Sequence, residues 1–210
     1  MLFRKTTTRR DEKVKMTVAG FPYGGSNHWR SPDRISSLPA SPFRDWLLSE
    51  DSLTERLKRH GELFEVKLLG EKILQPEKGE YIASGKPEPI WIREVLLCLD
   101  GAPWVFARTL IPNTLMMDLN TGLKSLGSRP LGELLYSDRA FLLGNIELSC
   151  FDHRHKIVKL AAFLSQKTDH PLWGRRRYFN YKSQVLIVAE IFLPLAERAI
   201  ANAEHLTDRA

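Results

Sequence analysis

Apolar and polar residues alternate along several stretches of the chain with the period of two that is typical of β-strands. The clearest stretch covers residues 91–99, and Asp100-Gly101 follows it as a two-residue hairpin turn that leads into a strand over 104–111. The same criteria predict four more strands, over residues 63–69, 146–151, 175–181 and 185–193. Lys182-Ser183 joins the last two as a second hairpin. Successive hairpins predict an antiparallel sheet.

Helical patterns separate these strands. Ser41-Pro42 precedes an apolar stripe within residues 43–47, which predicts a short helix with Pro42 at its first position. A second helix follows Ser52, whose spacing to Glu55 is that of a capping box. Apolar residues at helical spacing predict three more helices, over 115–126, behind Pro130, and around 157–164. The sequence therefore predicts an α+β fold, with helices packed on an antiparallel β-sheet.

Composition narrows the class of protein. The chain has 210 residues, of which 43% are hydrophobic and 27% are charged, as in one globular domain. The longest apolar run, residues 185–193, is too short to span a membrane, and the first residues lack a secretory signal, so we expect a cytoplasmic protein. Cys98 and Cys150 lie in apolar runs and are expected to be free thiols, with neither a disulfide framework nor a metal site.

The net charge of +6 is unevenly distributed. Residues 1–40 hold eight Lys or Arg and three Asp or Glu, a net of +5, which leaves +1 for residues 41–210. This predicts a basic, disordered extension over 1–28, a folded domain over 29–200 and a short tail over 201–210. A nucleic-acid binder would carry its basic residues on the folded part. We therefore expect no nucleic-acid partner, and we expect a monomer.

Arg93 is the first candidate for chemistry, because it alternates in phase with apolar residues and should lie on a buried face. A buried guanidinium requires a carboxylate, either from the protein or from a ligand. With a loop of Asp100-Gly101, the strand pairing sets Arg93 opposite Arg108, and an anion between them would relieve the repulsion. Pro103 can shift this register. The alternative is that Arg93 or Arg108 simply pairs with Glu94 or another acid near the surface.

Glu190 is a single carboxylate inside an apolar strand that is expected to be covered on both faces. It is either a functional group with a perturbed environment or half of a structural Glu–Arg pair. The N–H groups of Leu131 and Gly132, at the start of the helix behind Pro130, can bind an anion, as those of any helix start can.

Two other clusters of charged residues are predicted to have no role in chemistry. Arg175-Arg176-Arg177 is expected to form a solvated strand edge rather than a phosphate or nucleic-acid patch. His153-Arg154-His155 is expected in a surface loop, because no companion metal ligands stand at the required spacing. The chain contains neither a glycine-rich phosphate loop nor a G-x-S-x-G elbow.

Seven short motifs, taken together and in this order, resemble the chorismate pyruvate-lyase family over about residues 29–195. They are DWLL at 45–48, DSLT at 51–54, WIREVLLC at 91–98, RTLIP at 108–112, PLG at 130–132, LWGRR at 172–176 and EIFLP at 190–194. The resemblance implies an enzyme without metal or cofactor that converts chorismate to 4-hydroxybenzoate and pyruvate for the ubiquinone head group. It also implies a buried ligand pocket and inhibition by the product.

The resemblance assigns ligand contacts to Arg93, to the main chain of Leu131 and to Glu190, with Leu53 against the ring. Arg108 is then a candidate either to hold the enolpyruvyl carboxylate or to tune Glu190.

Residues 153–169 are longer than the family's usual link, so this segment either lengthens a flap over the pocket or decorates the surface.

Two alternatives compete with the conversion of chorismate to 4-hydroxybenzoate as the function of this protein. One is a non-catalytic effector-binding domain of the same fold, although residues 1–40 are too short and aperiodic for a helix-turn-helix module. The other is a lyase that yields another hydroxybenzoate isomer.

Overall fold

The computed structural model describes residues 20–80, 88–118 and 129–207 of the chain. Its six strands are β1 (Phe64–Leu74), β2 (Ile90–Leu99), β3 (Ala102–Pro112), β4 (Phe141–Phe151), β5 (Leu172–Tyr181) and β6 (Gln184–Phe192). They form one antiparallel sheet in the order β1-β2-β3-β6-β5-β4. Both predicted hairpins are confirmed, and together they supply the four central strands.

The helices confirm the α+β class. Over the described residues they are α1 (Phe43–Leu48), α2 (Leu53–Lys58), α3 (Asn113–Asp118), α4 (Leu131–Ser137), α5 (Lys156–Phe163) and α6 (Pro194–Thr207), with a 3-10 turn at Pro32–Arg34. The hydroxyl of Ser52 accepts a hydrogen bond from the Glu55 N–H, as the capping box predicts. Pro42 is the N-cap of α1 rather than its first residue. The predicted helix over 115–126 overlaps α3 as far as Asp118, and the rest of that prediction, 119–126, lies outside the described residues.

The two faces of the sheet pack against different parts of the chain. One face, here called the helical face, packs against α1, α2, α3, α4 and α6 through buried residues such as Val95, Ala107 and Phe192. The opposite face packs against α5 and residues 20–31, with Phe106 and Ile157 in its core. Because side chains alternate along a strand, a change of one residue in register moves a side chain from one face to the other.

The hairpin of β2 and β3 contains such a change. Asp100 and Gly101 both have positive φ angles, 50° and 79°, as the predicted two-residue turn requires. Beyond the turn the register shifts by one residue between Leu97 and Cys98, near Pro103, which has no N–H to donate to the ladder. The predicted pairing of Arg93 with Arg108 is therefore wrong.

On the side of this register shift that is away from the turn, Arg93 lies opposite Thr109, and Glu94 lies opposite Arg108. The structure contains the ion pair between Arg108 and Glu94 of the alternative interpretation, but the pair is buried rather than near the surface.

The described part of the chain begins before the expected domain boundary. The N–H groups of Tyr23 and Gly24 donate to the two carboxylate oxygens of Glu94 at 2.7 and 2.8 Å. A Cβ on Gly24 would lie 2.2 Å from the Arg108 side chain, so only glycine fits there. Residues 20–28, which the sequence analysis assigned to the extension, thus contact the opposite face of the sheet. Residues 1–19 lie outside the described residues.

The segment over residues 153–169 contains α5 and belongs to the core of the opposite face. Ile157 and Leu160 are buried there. The Gln166 side chain donates to the Pro103 carbonyl at 2.8 Å and accepts from the Leu195 N–H at 2.9 Å. His155 caps α5 by accepting from the Ile157 N–H, and burial lowers its pKa. The segment is therefore neither surface decoration nor part of the helical face.

Candidate active site

Arg93 and Glu190 lie on the same face of the sheet, the helical face, near its centre. Arg93 is paired with Thr109 of β3, and Glu190 is paired with Ala107, two residues away on the same strand. The two residues are thus two strands apart and offset by two positions, which corresponds to about 12 Å between their Cα atoms. Between them the sheet carries the short side chains of Ala107 and Thr109 and the side chain of Val188. Arg93 and Glu190 are therefore on the same face of the sheet, on either side of these side chains.

Arg93 is deeply buried, with only 3% of its surface exposed. Its Nη1 atom lies 3.9 Å from Oε2 of Glu71, the residue opposite it on β1. Burial lowers the pKa of the Arg93 guanidinium, and the Glu71 carboxylate opposes this effect. Arginine stays protonated in proteins even so. The site therefore contains a permanent buried cation with the Glu71 carboxylate beside it.

Glu190 is held by Arg175, the residue opposite it on β5. Its Oε2 atom accepts a hydrogen bond from Arg175 Nε at 2.7 Å, and the Glu190 side chain is 15% exposed. Arg175 also donates to the main-chain carbonyls of Trp46 and Ser49, at 3.1 and 2.7 Å, and so connects α1 to the sheet. Glu190 is thus half of a Glu–Arg pair and also the carboxylate that faces Arg93 across the site.

The interpretation of Arg175, Arg176 and Arg177 as a solvated edge is wrong. All three are buried, with 3%, 8% and 8% of their surface exposed, because β5 lies between β4 and β6. The predicted alternation is correct, since Arg176 points to the opposite face and pairs there with Glu147, at 2.6 Å from Nη2 to Oε2. The pairing of Arg175 with Glu190 could have been predicted from the sequence, because a hairpin with Lys182-Ser183 as its turn places residue 175 opposite residue 190.

Arg177 and Tyr136 are further residues of this site that the sequence analysis missed. Arg177 Nη1 donates to the Glu50 carbonyl at 2.6 Å and lies 3.5 Å from the Tyr136 hydroxyl. Burial raises the pKa of Tyr136, and the charge of Glu190 adds to this effect. Tyr136, Arg177 and Glu190 therefore share one environment. Nothing in the spacing of residues along α4 indicates this.

The first residues of α2 and α4 pack on the helical face, the face on which Arg93 lies. Leu53 packs in the cluster that contains Val95, and Leu131 packs in the cluster that contains Trp91. Val95 and Trp91 flank Arg93 on the same face. The two helix starts are close to each other, since a Cβ on Gly132 would lie 3.1 Å from the Thr54 hydroxyl. Sequence positions 53 and 131 are thereby brought together above the sheet.

Arg108 does not share the face of Arg93 and Glu190. Its guanidinium forms ion pairs with Glu94 and with Glu80, at 2.7 Å from Nη2 to the Glu80 carboxylate. The cavity beside it on the opposite face measures about 20 Å³, enough for one water molecule but not for an aromatic acid. Arg108 thus lies on the opposite face from Arg93 and Glu190, and its expected role, in holding a substrate carboxylate or tuning Glu190, stays a prediction.

Three negative findings apply to the described parts of the chain. Among them no helix has the length and apolar character needed to cross a membrane. Likewise, within residues 20–80, 88–118 and 129–207, no group of three His, Cys, Asp or Glu side chains is placed to hold a metal ion. Cys98 is buried and Cys150 is exposed, and neither forms a disulfide in the described residues.

The comparisons with known proteins agree with one another. A sequence profile of the family described as chorismate lyase matches residues 25–200. A protein of Shewanella loihica described as a "Probable chorismate pyruvate-lyase" is 53% identical over 187 residues, which is 89% of this chain and 98% of that protein. A protein of Idiomarina loihiensis with the same description is 37% identical over 82% of this chain and 88% of its own length.

Among solved structures, the effector domain of PhnF from Mycobacterium smegmatis matches with a TM-score of 0.47 and 19% identity, over 70% of this chain and 89% of that one. The matches of sequence cover nearly all of the residues that form the sheet and the helical face. The chain therefore belongs to the chorismate lyase family, and it is a lyase.

Proposed function

We propose that the protein converts chorismate to 4-hydroxybenzoate and pyruvate, and so supplies the aromatic precursor of a ubiquinone-type head group. The main support is the placement of a buried arginine, Arg93, and a carboxylate, Glu190, on one face of the sheet, two strands apart. The monomeric state, the cytoplasmic location and the absence of a nucleic-acid partner stay predictions.

The reaction is an elimination that balances without an oxidant or a reductant. The C4–H bond of chorismate breaks, and its electron pair completes the aromatic ring as the ether bond between C3 and oxygen breaks. The leaving group is the enolate of pyruvate, which takes up a proton to become pyruvate. Aromatisation supplies the driving force. The protein has to bind the substrate, orient it and handle one proton.

Each of the four remaining candidate residues has a role in this proposal. Arg93 and the main-chain N–H of Leu131 hold the ring carboxylate, and Glu190 accepts a hydrogen bond from the 4-hydroxyl group. Leu53 packs against the ring. The ring carboxylate and the 4-hydroxyl stand at opposite ends of the molecule, as Arg93 and Glu190 stand at opposite ends of the site.

The function is tested by incubating the purified protein with chorismate and identifying the products by chromatography. The proposal expects 4-hydroxybenzoate and pyruvate in equal amounts. Formation of another hydroxybenzoate isomer would show that the protein is a chorismate lyase of different product specificity. Saturable binding of chorismate without turnover would indicate a non-catalytic effector-binding domain.

Glu190→Gln should lower kcat/KM for chorismate by about 10- to 100-fold, the value of one charge-assisted hydrogen bond. The amide keeps the shape of the side chain but loses the charge that faces the 4-hydroxyl and Arg175. The rate of 4-hydroxybenzoate formation, followed by absorbance, gives the measurement.

Glu147→Gln is the matched control for this variant. Glu147 pairs with Arg176 as Glu190 pairs with Arg175, but on the opposite face. It should leave the kinetics within about 3-fold of the original protein. Equal activity of the two variants would mean that Glu190 is only a structural partner of Arg175.

Release of 4-hydroxybenzoate should limit turnover, because the product keeps both polar ends that bind the substrate in a buried site. Rapid mixing is expected to show a burst of about one aromatic product per protein, followed by a slower steady rate. Added 4-hydroxybenzoate should slow the reaction. A progress curve that the added product leaves unchanged would contradict this expectation.

A further inference from the structure

Arg177 has an environment that differs from those of its two neighbours on β5. Arg175 and Arg176 each form an ion pair with a glutamate, Glu190 and Glu147 respectively. Arg177 is more than nine-tenths buried, yet no carboxylate of the described residues lies within 4 Å of it. Its Nε atom is buried and has no acceptor. A buried cation in this state is destabilising unless an anion joins it.

The position of Arg177 connects it to the proposed site. A row of paired residues crosses the sheet from Arg93 through Thr109 and Val188 to Arg177. All four side chains therefore point to the helical face. Glu190 is two residues beyond Val188 on β6, so Arg177 stands diagonally beside Glu190, in the row of Arg93. Tyr136 lies next to Arg177, with the guanidinium 6.0 Å from the centre of its ring.

This arrangement matches the shape of chorismate, which has two carboxylates. The first is on C1, opposite the C4 hydroxyl, and the second belongs to the enolpyruvyl group on C3, the carbon next to C4. With the C1 carboxylate at Arg93 and the hydroxyl at Glu190, the second carboxylate must lie beside Glu190 and off the line between the two ends. Arg177 stands at such a position.

We infer that Arg177 binds the enolpyruvyl carboxylate of chorismate, an inference that rests on the proposed function. Glu190 pairs with Arg175, so that Arg177 is the cation beside Glu190 that can hold the second carboxylate, while Arg93 holds the first in the proposed function. The product 4-hydroxybenzoate has only the ring carboxylate and does not contact Arg177. The residue thus distinguishes the substrate from the aromatic product.

The test is the variant Arg177→Gln, assayed for turnover of chorismate and, by calorimetry, for binding of 4-hydroxybenzoate. We expect kcat/KM for chorismate to fall by about 10- to 100-fold, mainly through a higher KM, as for the loss of one ionic hydrogen bond. The Kd of 4-hydroxybenzoate should change by less than about 3-fold. Arg176→Gln, the same change at the adjacent residue on the opposite face, should alter neither value by more than that.

Arg177→Lys keeps the cation but lacks the Nε donor, and it should show the same selective loss with a smaller amplitude. It replaces the glutamine variant if that variant does not fold. Equal weakening of substrate and product, or unchanged KM in a folded variant, would overturn the inference and leave Arg177 as a structural partner of Glu50. If the original protein does not turn over chorismate, the proposed function is contradicted. The binding of chorismate to the original protein and to the Arg177→Gln variant, measured by calorimetry, then still tests the role of Arg177.

Discussion

Arg93→Met is expected to lower kcat/KM for chorismate by about 10³-fold, because it removes the buried cation that holds the ring carboxylate. Methionine keeps the length of the aliphatic stem and avoids leaving a large cavity beside Val95 and Trp91. Since substrate and product share the ring carboxylate, the Kd of 4-hydroxybenzoate should rise as well. This pattern differs from that of Arg177, whose replacement should affect the substrate alone. Steady-state kinetics and calorimetry on the same preparations give both values.

Two further variants show whether the loss comes from the site. Arg93→Lys should recover part of the activity, since a point charge replaces a planar group of donors. Arg59→Met removes an exposed arginine at the end of α2 and should leave the kinetics unchanged. An Arg93→Met variant that keeps the original kcat/KM and binds 4-hydroxybenzoate normally would show that Arg93 does not contact the ligand.

The largest effect on stability is expected from Glu94→Ala, which should lower the free energy of unfolding by about 3–5 kcal/mol. Glu94 is completely buried and accepts from two main-chain N–H groups and from Arg108. Its removal leaves Tyr23 N–H, Gly24 N–H and part of the Arg108 guanidinium without their acceptor, each inside the protein. Urea denaturation with linear extrapolation measures the change.

Glu65→Ala provides the comparison, because Glu65 is an exposed residue of the adjacent strand β1. Its loss should change the unfolding free energy by less than about 0.5 kcal/mol. Similar denaturation midpoints for both variants would mean that the ion pairs of the opposite face, and the attachment of residues 20–24, contribute little to stability.

The elements of this fold could be predicted from the sequence because their signals are local. Asp100-Gly101 and Lys182-Ser183 mark turns, and alternation on either side marks the paired strands. The register of β2 with β3 could not be predicted with the same certainty. A single bulge near Pro103 shifts the pairing by one residue and moves Arg108 to the opposite face from Arg93.

The site could be predicted only in part, because its groups come from distant parts of the chain. Arg93 and Glu190 stand out as charges in apolar strands, and the family motifs around Leu53 and Leu131 mark the helix starts above them. The burial of Arg175 depends on carbonyl groups of α1, more than 120 residues away in sequence. A local sequence pattern contains no information on such contacts. For this reason the sequence predicts a solvated edge for Arg175 and Arg177.

A crystal structure of the protein in complex with 4-hydroxybenzoate would show whether Arg93 and Glu190 form the binding site. We expect a ligand on the helical face, with its carboxylate within hydrogen-bonding distance of the Arg93 guanidinium and its hydroxyl at the Glu190 carboxylate, beneath the starts of α2 and α4. A ligand that lies beside Arg108 on the opposite face, or that contacts neither Arg93 nor Glu190, would contradict it.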